Sequence, residues 1–306
     1  PRIDLEGMRK WKEKVIDQMA NGLVSLNKRR GVQLLQGRVV FEGPQSARVY
    51  DSEVSHIKFK NAILATGSTP VPFPGSSFKP ESRIMSSTGA LALASVPKKL
   101  LIVGGGYVGL ELGTVYAALG SQVSLVELAD RLLAGVDHDL VEPLHRRLKT
   151  VFKEIYLKTK VISMNEKEDA VEVIFEGDVA DTLQHFDSVL VAIGRNPNTV
   201  DLGLENTKVK VDAKGFVLVD DQQRTADEHI YAAGDVAGGM MLAHKAMREG
   251  KVAAEVIAGL PSAFDVRAIP AVVYTDPQIA WCGMTETQAT QENRAIKVQR
   301  FPWKFS

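Results

Sequence analysis

Cysteine is almost absent: the chain of 306 residues has one, Cys282. A single thiol excludes an intrachain disulfide and a structural zinc site built on cysteines, so no metal is expected. Cys282 itself reads as a small buried hydrophobe rather than a reactive thiol. Long apolar runs are missing too. None approaches the roughly 20 residues needed to cross a bilayer, so no membrane span is expected. There is no excess of either charge, with lysine plus arginine at 37 and aspartate plus glutamate at 37. That balance gives nucleic acid and anionic membranes no electrostatic footprint. Low-complexity tracts and internal repeats are also lacking. What remains is the composition of an ordinary folded protein, 45% hydrophobic and 24% charged, long enough for two or three domains. The chain starts at Pro1 and stops at Ser306, just past Phe301-Pro302-Trp303, and neither end reads as a domain terminus.

Periodicity gives the elements. Residues 4–30 carry Leu5, Met8, Trp11, Val15, Ile16, Met19, Leu23 and Leu26 at helical spacing, ending in Lys28-Arg29-Arg30, which suits a helix C-terminus, and Gly31. Strands are expected at 32–35, 37–41, 47–50 and 56–64, the last running into Ala65-Thr66-Gly67-Ser68 and a proline-rich loop over 70–80. From residue 98 the texture changes. Residues 100–103 are uninterruptedly apolar, as in a strand buried on both faces of a parallel sheet. A glycine turn, a helix over 108–119 and a strand over 122–126 complete a βαβ unit. A helix over 137–150 follows, then strands at 161–164, 171–175, 188–193, 216–219 and 230–233, a helix over 243–259 and a strand at 271–274. Strands alternate with helices, so the class is α/β.

The sharpest local signal is Gly104-Gly105-Gly106-Tyr107-Val108-Gly109. A hexapeptide with this glycine spacing is weak evidence alone. Here it follows a buried strand, opens a helix and is trailed by a second strand ending in Glu127, which is the context of a dinucleotide site. Gly104 permits the tight turn, Gly106 lets the backbone approach a pyrophosphate, and Gly109 lets the helix pack close to the sheet. The helix N-terminus then offers N–H groups and partial positive charge to the phosphates. Glu127 stands where a carboxylate accepts both ribose hydroxyls and repels a 2′-phosphate, which favours NAD over NADP. Arg131, past the strand end, reads as a surface residue. A second constellation ends Ile230-Tyr231-Ala232-Ala233-Gly234-Asp235. It puts a carboxylate at the carboxyl end of a short strand, either as a helix cap or at a ligand site.

Together these stretches resemble the flavoprotein disulfide reductases, the two-dinucleotide family that includes glutathione and mercuric reductases. The resemblance covers nearly the whole chain. Within that family, Met241-Leu242-Ala243-His244-Lys245-Ala246 with Glu249-Gly250 is most similar to the branch that oxidises protein-bound dihydrolipoamide. The stretch from Pro270 to Trp281 resembles the start of the family's interface domain. The implied cofactors are FAD and NAD. Asp235 would bind the flavin's ribityl chain. Gly37, Thr66, Gly67 and Ser68 would lie against the flavin nucleotide. The helix start at Met241, Leu242, Ala243 and His244 would point backbone N–H groups at the flavin's pyrimidine edge. NAD would contact Gly104, Gly105, Gly106, Tyr107, Val108, Gly109, Glu111, Glu127, Val161 and Gly194. Glu111 matches a glutamate that pairs with a lysine near the flavin, and also suits the first turns of a helix. Tyr107 is either a flap over the nicotinamide pocket or simple packing.

The implied fold is the two-dinucleotide-binding-domain fold of FAD/NAD-linked reductases, with only the start of an α+β interface domain. Residues 1–90 would be the later part of the first FAD segment, 91–197 the NAD-binding domain, 198–268 the return segment of the FAD domain, and 269–306 the start of the interface domain. The family's FAD adenosine-binding turn and its pair of redox cysteines would precede Pro1, and its His-Pro base segment would follow Ser306. No catalytic residue is therefore expected within the chain, and the chain alone is expected to be inactive. The implied partners are a lipoyl-bearing protein of a 2-oxo acid dehydrogenase complex and a second copy in a homodimer, with no nucleic acid. The implied compartment is the bacterial cytoplasm, or else the mitochondrial matrix. Trp281, Phe301 and Trp303 are expected to form an exposed apolar surface.

Overall fold

A computed structural model describes residues 3–302 of the chain. Two compact units emerge: one holds the chain up to Pro70 with Arg195–Val266, the other Val71–Gly194 with the chain from Arg267 onward. Unit one opens with α1 (Leu5–Arg29), whose cap Asp4 accepts a hydrogen bond from the Gly7 N–H at 2.9 Å. The helix forms as its periodicity indicates, but none of its residues is buried, and Trp11 and Met19 are 69% and 71% exposed. The strand expected at 32–35 does not form. Val32, Leu34 and Leu35 are exposed there, and an apolar run without a pairing strand stays irregular.

Strands β1 (Arg38–Gly43), β2 (Ser46–Tyr50) and β3 (His56–Lys58) make a small antiparallel sheet, with Phe41 opposite Ala47. The single strand expected over 56–64 breaks in two, because β4 (Ala62–Leu64) leaves this sheet for another partner. A short β5 (Ser68–Pro70) ends the segment.

Unit two begins at Val71, ahead of the expected boundary at 91, because β6 (Ile84–Met85) joins its sheet. It continues through α2 (Ser87–Ala92), β7 (Lys99–Val103), α3 (Tyr107–Ala118), β8 (Gln122–Val126), α4 (His138–Val151) and β9 (Glu154–Tyr156). Next come β10 (Lys160–Glu166), β11 (Val171–Glu176), β12 (Leu183–Phe186) and β13 (Ser188–Val191). The main sheet is parallel throughout, in the order β6-β13-β7-β8-β9. Strand β7 sits at its centre, where the order reverses. Successive side chains on β7 point to opposite faces. Leu101 and Val103 pack with Val161, Val173 and Phe175 of the antiparallel β10-β11-β12 meander, while Ile102 meets α3. Burial on both faces is why the strand reads as an unbroken apolar run. Leu100, Leu101, Ile102, Leu125 and Leu190 are fully buried, each contributing about 1.5–3 kcal/mol.

The chain returns to unit one with β14 (Arg195–Pro197), paired to β5, and β15 (Ile230–Ala232), paired parallel to β4. Helix α5 (Ala243–Ile257) follows a 3₁₀ turn over Gly234–Ala237. The strand expected at 216–219 is reduced to an isolated bridge between Val217 and Val211. Phe41, Ala47, Leu64, Val217, Ile230, Ala232 and Val236 form this unit's core, with Phe59 edge-on to Phe41 at 5.9 Å. Unit two closes with the hairpin β16 (Pro270–Val273) and β17 (Ile279–Cys282), then α6 (Glu286–Gln291).

Candidate functional site

The glycine turn sits at the carboxyl end of β7, at the point where strand order reverses, which is where open α/β sheets bind ligands. Gly104 has φ +111°, and a Cβ there would overlap the Ala192 carbonyl at the end of β13. Only glycine fits. Its N–H donates to the Val126 carbonyl at 2.9 Å, tying the turn to β8. A Cβ on Gly109 would overlap the Gly104 carbonyl and crowd Ile102, so the helix is packed directly onto the strand. Gly106 differs: nothing lies within 4 Å of where its Cβ would be. It caps α3 in an extended conformation, and no side chain caps the helix. An uncapped helix N-terminus beside open space is the arrangement a phosphate requires.

Glu127, at the end of β8, faces this turn. Its Oε2 accepts from the Gly105 N–H at 2.6 Å and its Oε1 from the Ala129 N–H at 2.7 Å. A carboxylate has about four acceptor positions, so two remain for hydroxyl donors. Tyr107 is 41% exposed at the start of α3, with Val108 half-buried behind it. Gly194, exposed at φ +140°, follows β13 beside the turn. Two further expected residues have partners within the unit. The Glu111 carboxylate accepts from the Tyr274 N–H at 2.8 Å, which binds α3 to the last segment of the unit. Val161 is buried among Val103, Val126 and Val191, so its side chain belongs to the core.

Unit one has a second cluster, at the carboxyl ends of the parallel strands β4 and β15. Asp235 lies in the 3₁₀ turn after β15, and the Ser68 hydroxyl donates to its Oδ2 at 2.5 Å. Arg195 donates from Nε to the Ser68 hydroxyl at 2.7 Å and from Nη2 to the Ser68 carbonyl at 2.6 Å. Thr66 and Asn198 exchange hydrogen bonds at 2.7 and 2.9 Å, and the Asn198 N–H donates to the Gly67 carbonyl at 2.9 Å. Helix α5 begins nearby in sequence, capped by the extended backbone of Leu242 with no side-chain cap. Ala243 and His244 are exposed and Met241 and Leu242 half-buried. Gly37 has a local reason to be glycine: at φ +150°, a Cβ would press on the Tyr50 carbonyl and Val49 of β2.

Behind this cluster lies a pair that the sequence shows only as two members of the Met241–Gly250 stretch. Lys245 and Glu249 are both about 5% exposed and 2.6 Å apart. Their four-residue spacing on a helix was the available signal. The expectation for Cys282 fails: the thiol is exposed at the end of β17, where alternate residues of a lone hairpin face solvent. Phe301 is exposed and Trp281 half-buried, while Trp303 lies outside the described residues. Among the described residues, no His, Cys, Asp and Glu group of metal-site size is present, and no helix is long and apolar enough to cross a membrane.

Known proteins match along the whole chain. Residues 2–250 match the family model described as pyridine nucleotide-disulphide oxidoreductase, and residues 269–306 match that family's dimerisation domain. Dihydrolipoyl dehydrogenase of Vibrio parahaemolyticus is 44% identical over 310 residues, and that of Geobacillus stearothermophilus 41% over 302. Those alignments take in 100% and 98% of this chain, which spans 64% of each relative's length. Among solved structures, the flavoprotein disulfide reductase RclA from Escherichia coli superposes with a TM-score of 0.83 at 28% identity, over 92% of this chain and 64% of that one.

Proposed function

Since this chain belongs to the pyridine nucleotide-disulphide oxidoreductase family, we propose that it forms the NAD site and part of the FAD site of a dihydrolipoyl dehydrogenase. The observation that carries the reading is Glu127, its carboxylate fixed by two backbone N–H groups at the rim of the glycine turn. Residues Val71–Gly194 serve as the NAD domain. Gly106 and the start of α3 receive the pyrophosphate, and Glu127 accepts the adenosine ribose hydroxyls. A 2′-phosphate would meet that negative charge, which disfavours the NADP-using glutathione reductase type.

Unit one serves as the flavin domain. Asp235 would accept hydrogen bonds from the ribityl hydroxyls, its carboxylate held by the Ser68 hydroxyl, which Arg195 holds in turn. The start of α5, with Met241 to His244, would offer backbone N–H groups to the flavin's pyrimidine edge. Bound flavin supplies transfer of two electrons from a substrate dithiol to NAD. The chain has one cysteine and so no cysteine pair of its own. The 306-residue chain alone is expected to give no turnover. The substrate in this reading is a lipoyl-bearing protein of a 2-oxo acid dehydrogenase complex. Pairing of two copies through the dimerisation segment, and a cytoplasmic setting, go with it.

A chimera tests the proposal. The chain replaces the matching stretch of the Vibrio parahaemolyticus enzyme, whose own ends are kept. Oxidation of dihydrolipoamide with NAD, and little with NADP, is the expected result. A folded, yellow chimera that reduces glutathione disulfide or mercuric ion with NADPH, and ignores dihydrolipoamide, would count against it.

A further inference from the structure

Lysine is an odd choice for the third residue of a helix. Positive charge in the first turn opposes the helix dipole, and burying an ammonium costs more than any surface pair returns. Lys245 nevertheless stands there, with its partner Glu249 one turn on and both side chains shut away from solvent. Each of the two also reaches out of the helix to the turn that carries Asp235. The Lys245 ammonium donates to the Gly238 carbonyl at 2.8 Å, and Glu249 Oε2 accepts from the Gly234 N–H at 2.8 Å. Gly234 is the first residue of the 3₁₀ turn and Gly238 the one just after it. The pair therefore grips the turn at both ends and joins it to the first two turns of α5.

We infer that Lys245 and Glu249 are positioning residues for the flavin site. They make the Asp235 carboxylate and the start of α5 one rigid body, so that two separate contacts to the flavin keep a fixed spacing. The inference deepens the proposed flavin reading and rests on it. Packing alone does not account for the pair. Two apolar side chains of similar volume would fill the same space without the desolvation penalty. They would, however, leave the Gly234 N–H and Gly238 carbonyl unheld.

That difference separates positioning from bulk stability. The variants are Lys245→Met, Glu249→Met and the double variant, made in the 306-residue chain. The readouts are the thermal midpoint and backbone amide exchange at Gly234 and Gly238. Each single variant leaves a buried charge unpaired and is expected to lower the midpoint sharply. The double variant is expected to recover most of the midpoint, while the turn amides still exchange about tenfold or more faster than in the wild type. Amides of Val252 and Ala253, further along α5, should keep their protection. The inference is overturned if the folded double variant protects the turn as well as the wild type does. It is equally overturned if exchange rises uniformly along α5 and the turn. Should the single variants not fold, the double variant alone decides. Titration of FAD into the chimera, followed by flavin fluorescence, tests the underlying reading separately. Failure there with the exchange pattern intact removes the flavin and leaves the clamp.

Discussion

Two parallel strand pairs in this molecule have opposite surroundings. In unit two, β7 is hydrogen-bonded on both sides, to β13 and β8, and its Leu100, Leu101 and Ile102 are completely buried. In unit one, the parallel pairing is two-stranded, β4 with β15, and Ile63 in the middle of β4 is 39% exposed. The first is a parallel core covered on both faces, by α3 on one and the β10-β11-β12 meander on the other. The second is held by loops, by α5 and by polar clamps such as Lys245–Glu249. A site built on the first needs only a correct turn. One built on the second needs side chains that hold the turn in place.

The largest effect should come from the close approach inside unit two. Gly109→Ala drives a methyl into the Gly104 carbonyl and Ile102, a clash of the overpacking kind that costs about 2–3 kcal/mol. Thermal melts should show unit two weakened and unit one unchanged. Loss of both together would mean the units are not independent. Next, hydrogen exchange should find the amides of β7, β8 and β13 at least about tenfold slower than those around Ile63. Equal protection would erase the contrast.

A smaller effect is expected at Tyr116, buried in α3 with its hydroxyl donating to the Ala90 carbonyl at 2.8 Å. Tyr116→Phe should cost about 1 kcal/mol. Burial pushes this phenol above its ordinary value. Its contribution is therefore complete below about pH 10 and lost as pH rises through the raised value. The variant's stability should fall less steeply on the alkaline side than the wild type's, and parallel alkaline curves would show another group responsible. Smallest of all, Trp11→Gln or Leu23→Gln on the exposed stripe of α1 should shift stability by less than about 0.5 kcal/mol. A loss several times larger, measured by denaturant titration, would mean that the stripe is covered in solution.

The same contrast explains what the sequence made legible. The turn at Gly104–Gly109 and the strands around it follow from local pattern: continuous apolar runs, glycine spacing and a carboxylate at the next strand end. Residues 32–35 and 216–219 are apolar too, yet form no strands, because pattern cannot tell whether a partner strand is adjacent. The short β6, β9 and β17 exist only through their pairings and left no trace to read. Ser68 and Asp235 were singled out separately, but their bond joins residues 167 positions apart, and Arg195 completes that cluster from a third segment. The pattern of strand β15 does not show its surroundings either: Ile230 and Ala232 are fully buried, with the Ala232 N–H held by the Gln223 carbonyl at 3.1 Å, while Ile63 of the neighbouring β4 is exposed.

Calorimetric titration of the 306-residue chain with NADH and NADPH tests most directly whether the turn and Glu127 make an NAD site. Charge-assisted hydrogen bonds from two ribose hydroxyls are each worth about 1.5–3 kcal/mol, so NADH should bind at least about tenfold more tightly than NADPH. Glu127→Gln should narrow that ratio, and Asp235→Asn in the other unit should leave it unchanged. Equal affinities, or tighter binding of NADPH by the wild type, would contradict the assignment.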